Sequence, residues 1–301
     1  NDAPVAQNDV GVIVEDGTLP VSNGANANVS GSYDATGEHS GDVIDTSSSS
    51  HTDSDADASA SLTVTAIRVG SSENSGTAGS IGSALTGTYG QLTIAADGSY
   101  SYVANQDAAD ALDAGDSVTD SFNYTLSDGT ATDIGVITIT ILGANDDPTA
   151  VNDTGYIKEG GTLTVANSAA ASSGTSTGNH TGDITDNDTD ADASSTATIT
   201  SITATTASGG AQTTFSSDSE TVTGQYGTLT INSNGSYSYV ANSNISGLDA
   251  GDANITDVFT YIVSDGTATS TATLTINVIA SQDLTARNDT GTVNEDATLT
   301  V

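Results

Sequence analysis

The sequence predicts an all-β chain built from tandem antiparallel β-sandwich domains. Three observations carry this expectation. The chain repeats itself at intervals of about 140 residues, its apolar residues alternate with polar ones in short runs, and Gly, Asn and Asp dipeptides separate those runs.

The repeat is legible by eye. Ala6-Gln7-Asn8-Asp9-Val10-Gly11 returns as Ala150-Val151-Asn152-Asp153-Thr154-Gly155 and again as Ala286-Arg287-Asn288-Asp289-Thr290-Gly291, at spacings of 144 and 136 residues. His39-Ser40-Gly41-Asp42 matches His180-Thr181-Gly182-Asp183, and the stretch from Gly98 to Asn105 recurs intact from Gly235 to Asn242. These matches predict one domain over residues 1–147, a second over 148–283, and the opening strand of a third over 284–301.

Each run of alternating residues predicts a strand, because neighbouring side chains on a strand face opposite sides of the sheet. In chain order the first repeat offers Leu62/Val64, Leu92/Ile94, Tyr100/Tyr102, Phe122/Tyr124/Leu126 and Ile137/Ile139/Ile141. The second offers Leu229/Ile231, Tyr237/Tyr239, Phe259/Tyr261/Val263 and Leu274/Ile276/Val278. Asp97-Gly98, Asp128-Gly129, Asn234-Gly235 and Asp265-Gly266 supply the residues that tight turns require. No segment shows helical periodicity. About seven short strands per repeat suggest an immunoglobulin-like plan.

Charge sets the second constraint. The 301 residues carry 39 acidic side chains against three basic ones, for a net charge of -36. Leu, Ile, Val and Phe make up just under a fifth of the chain, so composition alone signals disorder. Nucleic acid is excluded as a partner, because phosphate binding needs clustered Lys and Arg. An anionic membrane surface would repel the chain, and the longest apolar stretch, Ile134 to Leu142, is too short to span a bilayer. There is no cysteine for a disulfide or thiolate metal site, and no methionine or signal-like start, which suggests a mature or internal piece of a longer protein. Either the chain is disordered, or a positive charge from outside the sequence holds it together.

The aspartate runs suggest which charge. Asp53-x-Asp55-x-Asp57 and Asp186-x-Asp188-x-Asp190-x-Asp192 place carboxylates at alternate positions just before a strand. Left uncompensated, such groups raise one another's pKa. Calcium takes six to eight hard oxygens in flexible geometry; magnesium's octahedron fits less well, and transition metals lack the His or Cys they favour. A run of acids can simply be solvated, but its recurrence at one place in both repeats favours calcium. The spacing is not that of an EF-hand, whose sixth position is Gly where these runs carry Ala58 and Ala193. A second set of oxygens lies where repeats join, at Asn145, Asp146 and Asp147, followed by Pro148. Asn1-Asp2-Ala3-Pro4 has the same form, whereas Ser281-Gln282-Asp283-Leu284 has lost the Asn, one Asp and the Pro.

The ordered series Asp-x-Asp-x-Asp, Tyr-Gly-x-Leu-Thr-Ile, Gly-Ser-Tyr-x-Tyr, Phe-x-Tyr-x-x-Ser-Asp-Gly and Asn-Asp-x-Pro resembles the VCBS-type repeat over essentially the whole chain. VCBS repeats are cadherin-like and immunoglobulin-like modules of giant bacterial surface proteins. The resemblance implies extracellular, secreted or cell-surface β-sandwiches strung in tandem, with Ca2+ as the bound ion. By analogy with cadherins it adds Glu15, Glu159 and Glu295, at the ends of the matching first strands, to the ligand set.

Three functions compete. The first is a calcium-stiffened stalk or filament segment of an adhesin. The opening strand in residues 284–301 would then pair with another copy by strand exchange or continuation. The second is a module whose Thr-rich strand faces bind surface glycans or ice, although the chain has no Trp to offer a sugar. The third, an enzyme, is rejected. His39 and His180 sit at matching repeat positions as structural residues would, and no nucleophile elbow, P-loop or zinc motif occurs.

Overall fold

The computed structural model describes residues 1–28, 37–44, 51–57, 59–168, 170–172, 179–205, 213–215, 218–243 and 245–280, together with 292, 295, 298 and 300. The chain divides into two compact units, Asn1–Asp147 with Asp190–Thr196, and Pro148–Thr189 with Ala197–Val301. The expected opening strand of a third repeat lies almost wholly outside the described residues.

The first unit contains β1 (Asp9–Val14), β2 (Thr18–Val21), β3 (Glu38–His39), β4 (Thr63–Val69), β5 (Ala78–Gly79), β6 (Leu85–Thr86), β7 (Gln91–Ile94) and β8 (Tyr100–Val103). A single helical turn, α1 (Asp107–Asp110), follows, and then the long strands β9 (Ser117–Ser127) and β10 (Thr132–Leu142). They form a six-stranded sheet ordered β3-β1-β10-β9-β4-β5 and a four-stranded sheet ordered β2-β8-β7-β6. The inner residues of both sheets meet in one core, where Tyr102, Phe122, Tyr124 and Ile139 are fully buried. Tyr102 and Phe122 pack edge to face with ring centroids 6.3 Å apart, a geometry worth roughly 0.5–1.5 kcal/mol beyond area burial.

The second unit repeats this plan with β11 (Asp153–Lys158), β12 (Thr162–Val165), β13 (Ala170–Ser172), β14 (Asn179–Gly182), β15 (Thr198–Ala204), β16 (Thr213–Thr214), β17 (Ser219–Thr223), β18 (Gly227–Asn232), β19 (Tyr237–Ala241), β20 (Ile255–Ser264) and β21 (Thr269–Ile279). Its sheets run β13-β14-β11-β21-β20-β15-β16 and β12-β19-β18-β17. Tyr239 and Phe259 repeat the edge-to-face pair at 6.1 Å.

The nearly all-β fold follows the sequence pattern, and one strand pair in each unit departs from it. β1 runs parallel to β10, from Asp9 opposite Ile137 to Val14 opposite Leu142, and β11 runs parallel to β21. First and last strands are joined by a whole domain rather than a hairpin, so no tight turn forces them antiparallel. The hairpin turns behave as expected. Gly98 and Gly129 hold φ of 89° and 94°, in the left-handed region that Gly enters without strain.

One polar residue anchors each core. Asp120 on β9 is buried, and its carboxylate accepts the N–H groups of Thr88, Tyr89 and Gly90 and the Tyr102 hydroxyl. Asp257 in the second unit takes the N–H groups of Gln225 and Tyr226 and the Tyr239 hydroxyl. Four donors on one carboxylate satisfy its charge without a cation.

Candidate metal centres

The first aspartate run does not stay together. Asp55 and Asp57 turn toward Asp128, from the turn between β9 and β10, and carboxylate oxygens of all three lie within 4.8 Å of one another. Asp53 turns inward instead. It is 3% exposed and accepts the Gln7 N–H at 2.7 Å. Its departure follows from the arm ahead of β1, which pairs with this loop through the bridge between Val5 and Ser54. Asp128 carries no sequence signal beyond its Asp-Gly turn, and the ends of β9 and β10 bring it here.

The surroundings of this trio are already ordered for oxygen ligation. The Asp57 N–H donates to Asp55 at 2.7 Å, the Asp2 N–H to Asp57 at 2.9 Å, and the Asn1 amide to Asp128 at 2.9 Å. Each bond holds one carboxylate of the trio, as outer contacts do around metal ligands. The second oxygen of Asp55 is buried with no hydrogen-bond partner.

A second acidic group closes the other end of the first unit. The Asp146 N–H donates to Asp192 at 2.9 Å, and the Asp192 N–H to Asp190 at 3.0 Å. Asn145 bonds the Asp146 carbonyl through its amide, as Asn1 bonds that of Asp2. Glu15, 6% exposed at the end of β1, accepts the Ala144 N–H on one oxygen, while the other is buried with no partner. Burial, followed by the charges of Asp146, Asp192 and Asp16, pushes the Glu15 carboxyl up to about 7, against the Ala144 bond. Burial also raises Asp146, and Asp192, Asp16, Asp110 and Asp190 reinforce the shift. Asp110 arrives on α1, with one oxygen buried and unpartnered. Asp110 lies outside the sequence motifs, and Asp16 is the chain neighbour of Glu15.

This arrangement suits a hard cation. Glu15, Asp110, Asp146, Asp190 and Asp192 supply only oxygen, two of those oxygens are buried without partners, and the neighbouring charges that raise Asp146 are those of carboxylates. The donor set fits Ca2+ better than a metal that prefers nitrogen or sulfur.

The remaining sequence candidates are dispersed. Asp147, Asp186 and Glu295 are exposed. Glu159 is buried and accepts the Ile245 N–H at 3.3 Å. Asp188 accepts the Val151 N–H at 2.7 Å, and burial, with Asp153 and Asp183 adding, pushes its carboxyl up to about 6. No helix among the described residues is long and apolar enough to cross a membrane.

The family profile of the bacterial cadherin-like domain matches residues 1–143 and 145–280. Among solved structures, the extracellular domain of protocadherin GammaB4 shares 13% identity, covering 94% of this chain and 35% of its own, with a TM-score of 0.39. The EC1-2 fragment of human protocadherin-24 shares 12%, covering 91% of this chain and 98% of its own, with a TM-score of 0.35. An endo-fucoidan hydrolase of glycoside hydrolase family 107 shares 16%, with a TM-score of 0.25; it covers 93% of the chain, which spans 29% of the hydrolase's length. No curated protein matches the sequence. The profile match runs over both repeats, and the chain belongs to the bacterial cadherin-like domain family.

Proposed function

We propose that the chain is a calcium-stiffened structural segment of an extracellular bacterial adhesin or filament, of the VCBS type its motifs resemble. The observation that carries this reading is the Glu15 centre. A carboxylate 6% exposed, with a bare oxygen and acidic neighbours, is a poor way to stabilise a domain unless a cation joins it. Membership of a family of cadherin-like structural modules supports the same role and gives no support to catalysis.

Calcium here ties the end of β1 to the segment 144–147 and to the loop 190–192, which are otherwise held near one another against their own repulsion. Bound ions offset the repulsion among these acidic segments and hold them together. Residues 284–301 are then the opening strand of a further repeat, and pairing with another copy extends the fibre. Glycan binding draws little support. Tyr156 is the one aromatic among the exposed large apolar side chains of the described residues.

Small-angle scattering of the full chain with calcium and with EGTA tests the proposal. Calcium should narrow the distribution of intramolecular distances to that of a defined particle, and EGTA should broaden it. Identical profiles would reject stiffening, and electron microscopy of concentrated samples would show whether copies join end to end.

A further inference from the structure

The first compact unit takes in a segment from beyond its own repeat, Asp190–Thr196. The Ser194 N–H donates to the Asp113 carboxylate at 3.1 Å, and the Ser194 hydroxyl donates to its other oxygen. The hydroxyl bond, then the N–H bond, holds the Asp113 carboxyl below the usual carboxylate range. Asp113 belongs to the turn that joins α1 to β9. There the Asp116 N–H closes onto the Asp113 carbonyl at 2.9 Å, and Gly115 takes a φ of 99°.

Both halves of this contact recur in the chain, each without its counterpart. Asp55-Ala56-Asp57-Ala58-Ser59 repeats Asp190-Ala191-Asp192-Ala193-Ser194. The two loops fold alike. The Asp57 N–H meets Asp55 as the Asp192 N–H meets Asp190, and the Ala60 N–H meets the Asp57 carbonyl as the Ser195 N–H meets that of Asp192. Ser59 is exposed, and no described residue accepts a bond from it. It opens on a hollow of about 490 Å³ lined by Asn1, Asp57, Ser59, Ala60, Ser61 and Asp128.

The second unit carries the other half. Leu248-Asp249-Ala250-Gly251-Asp252 repeats Leu112-Asp113-Ala114-Gly115-Asp116 residue for residue. The Asp252 N–H closes onto the Asp249 carbonyl at 2.9 Å, Gly251 takes a φ of 102°, and Leu248, like Leu112, is buried beneath the turn. The Asp249 side chain is exposed, and its carboxylate accepts no bond from a described residue.

We infer that Ser59 and Asp249 are the two halves of a head-to-tail contact between copies of this chain, in which the Ser59 loop of one copy caps the Asp249 turn of the next as Ser194 caps Asp113. A contact between unlike surfaces leaves one of each free on every assembly, so it propagates instead of closing into a symmetric dimer. The inference rests on the filament reading and deepens it by naming the surfaces through which copies meet. Both surfaces are acidic, with Asp55, Asp57 and Asp128 on one and Asp249 and Asp252 on the other, so calcium should favour the contact.

The chain has no cysteine and neither side chain is buried, so Ser59→Cys and Asp249→Cys each place one thiol on a folded chain. A short bis-maleimide in calcium should link the two variants when they are mixed and should link neither to itself. In sedimentation, Asp249→Ala should weaken association of the full chain roughly tenfold, the loss expected of a charge-assisted hydrogen bond. Links that form equally in EGTA would support the contact and remove calcium's part in it. Failure of the mixture to link, while the parent still associates, would overturn this contact and leave the filament reading standing. A parent that stays monomeric at every concentration would overturn both the contact and end-to-end joining, and calcium stiffening is read separately by scattering.

Discussion

The backbone N–H of Asp2 donates to the Asp57 carboxylate at 2.9 Å, and Asp146 repeats the bond to Asp192 at the same distance. In both places the segment leading into a domain is fastened to an aspartate loop that a cation would occupy. Asp55→Asn with Asp57→Asn should therefore remove one calcium and lower the calcium-induced rise in midpoint temperature. The expected loss is about 2–3 kcal/mol at saturating ion, from the linkage of binding to folding. Calorimetry with and without calcium reads it; an undiminished rise would show that this trio holds no ion.

Glu15→Gln should act in opposite directions under two conditions. In chelator the variant should be more stable than the parent, because a buried carboxyl raised to about 7 no longer has to ionise. In calcium it should be less stable, because a ligand is lost. Paired denaturant melts check the crossover, and a change of the same sign in both conditions would contradict it.

The pH dependence of the metal-free chain follows from the same groups. Glu15 is raised from 4.5 to about 7, Asp188 from 3.8 to about 6, and Asp9, Asp146 and Asp153 shift in the same direction. The folded state then binds protons more tightly than the unfolded one. Their stabilising contribution is complete below pH 4 and is lost as pH rises through 6 and 7. Asp97, Asp113 and Asp128 are lowered by local hydrogen bonds, so they titrate below this window. The midpoint temperature in EGTA should therefore fall between pH 5 and pH 7.5. A rise over that range would refute the assignment.

Asp120 and Tyr102 set the stability of the first core independently of any ion. Tyr102→Phe deletes one hydroxyl from a well-satisfied carboxylate and should cost about 1.5–3 kcal/mol. Gly87→Ala would place a Cβ 2.4 Å from an Asp120 oxygen and should disturb the same contact without removing a donor. Chemical denaturation in excess calcium measures both, and parent-like midpoints would show that the carboxylate is not a structural anchor.

Much of the fold was legible because its signals are local. Phe122/Tyr124/Leu126 and Ile137/Ile139/Ile141 alternate, and these residues are buried on β9 and β10. The parallel pairing of β1 with β10 was not legible, since no local pattern records which distant strand a first strand will meet. The turn α1 is four residues long, too short to show a helical period. The sites divide in the same way. Asp55 and Asp57 stood out as a run, yet their partner Asp128 reads as an ordinary turn residue until two strand ends bring it in. Asp110 carries no motif and comes near Asp146 only through folding, whereas Asp16 is the chain neighbour of Glu15. Asp53 belongs to the run in sequence, but the arm before β1 draws it inside.

The most direct measurement is thermal unfolding of the full chain at neutral pH in calcium and in EGTA. Even one site filled to a hundredfold excess over its dissociation constant contributes about 2.7 kcal/mol, and domains of this size shift by roughly 2–4 °C per kcal/mol. Calcium should raise the midpoint by at least about 5 °C, and magnesium at equal concentration by clearly less. Coincident midpoints in calcium and EGTA would contradict calcium as the charge that holds this acidic chain together.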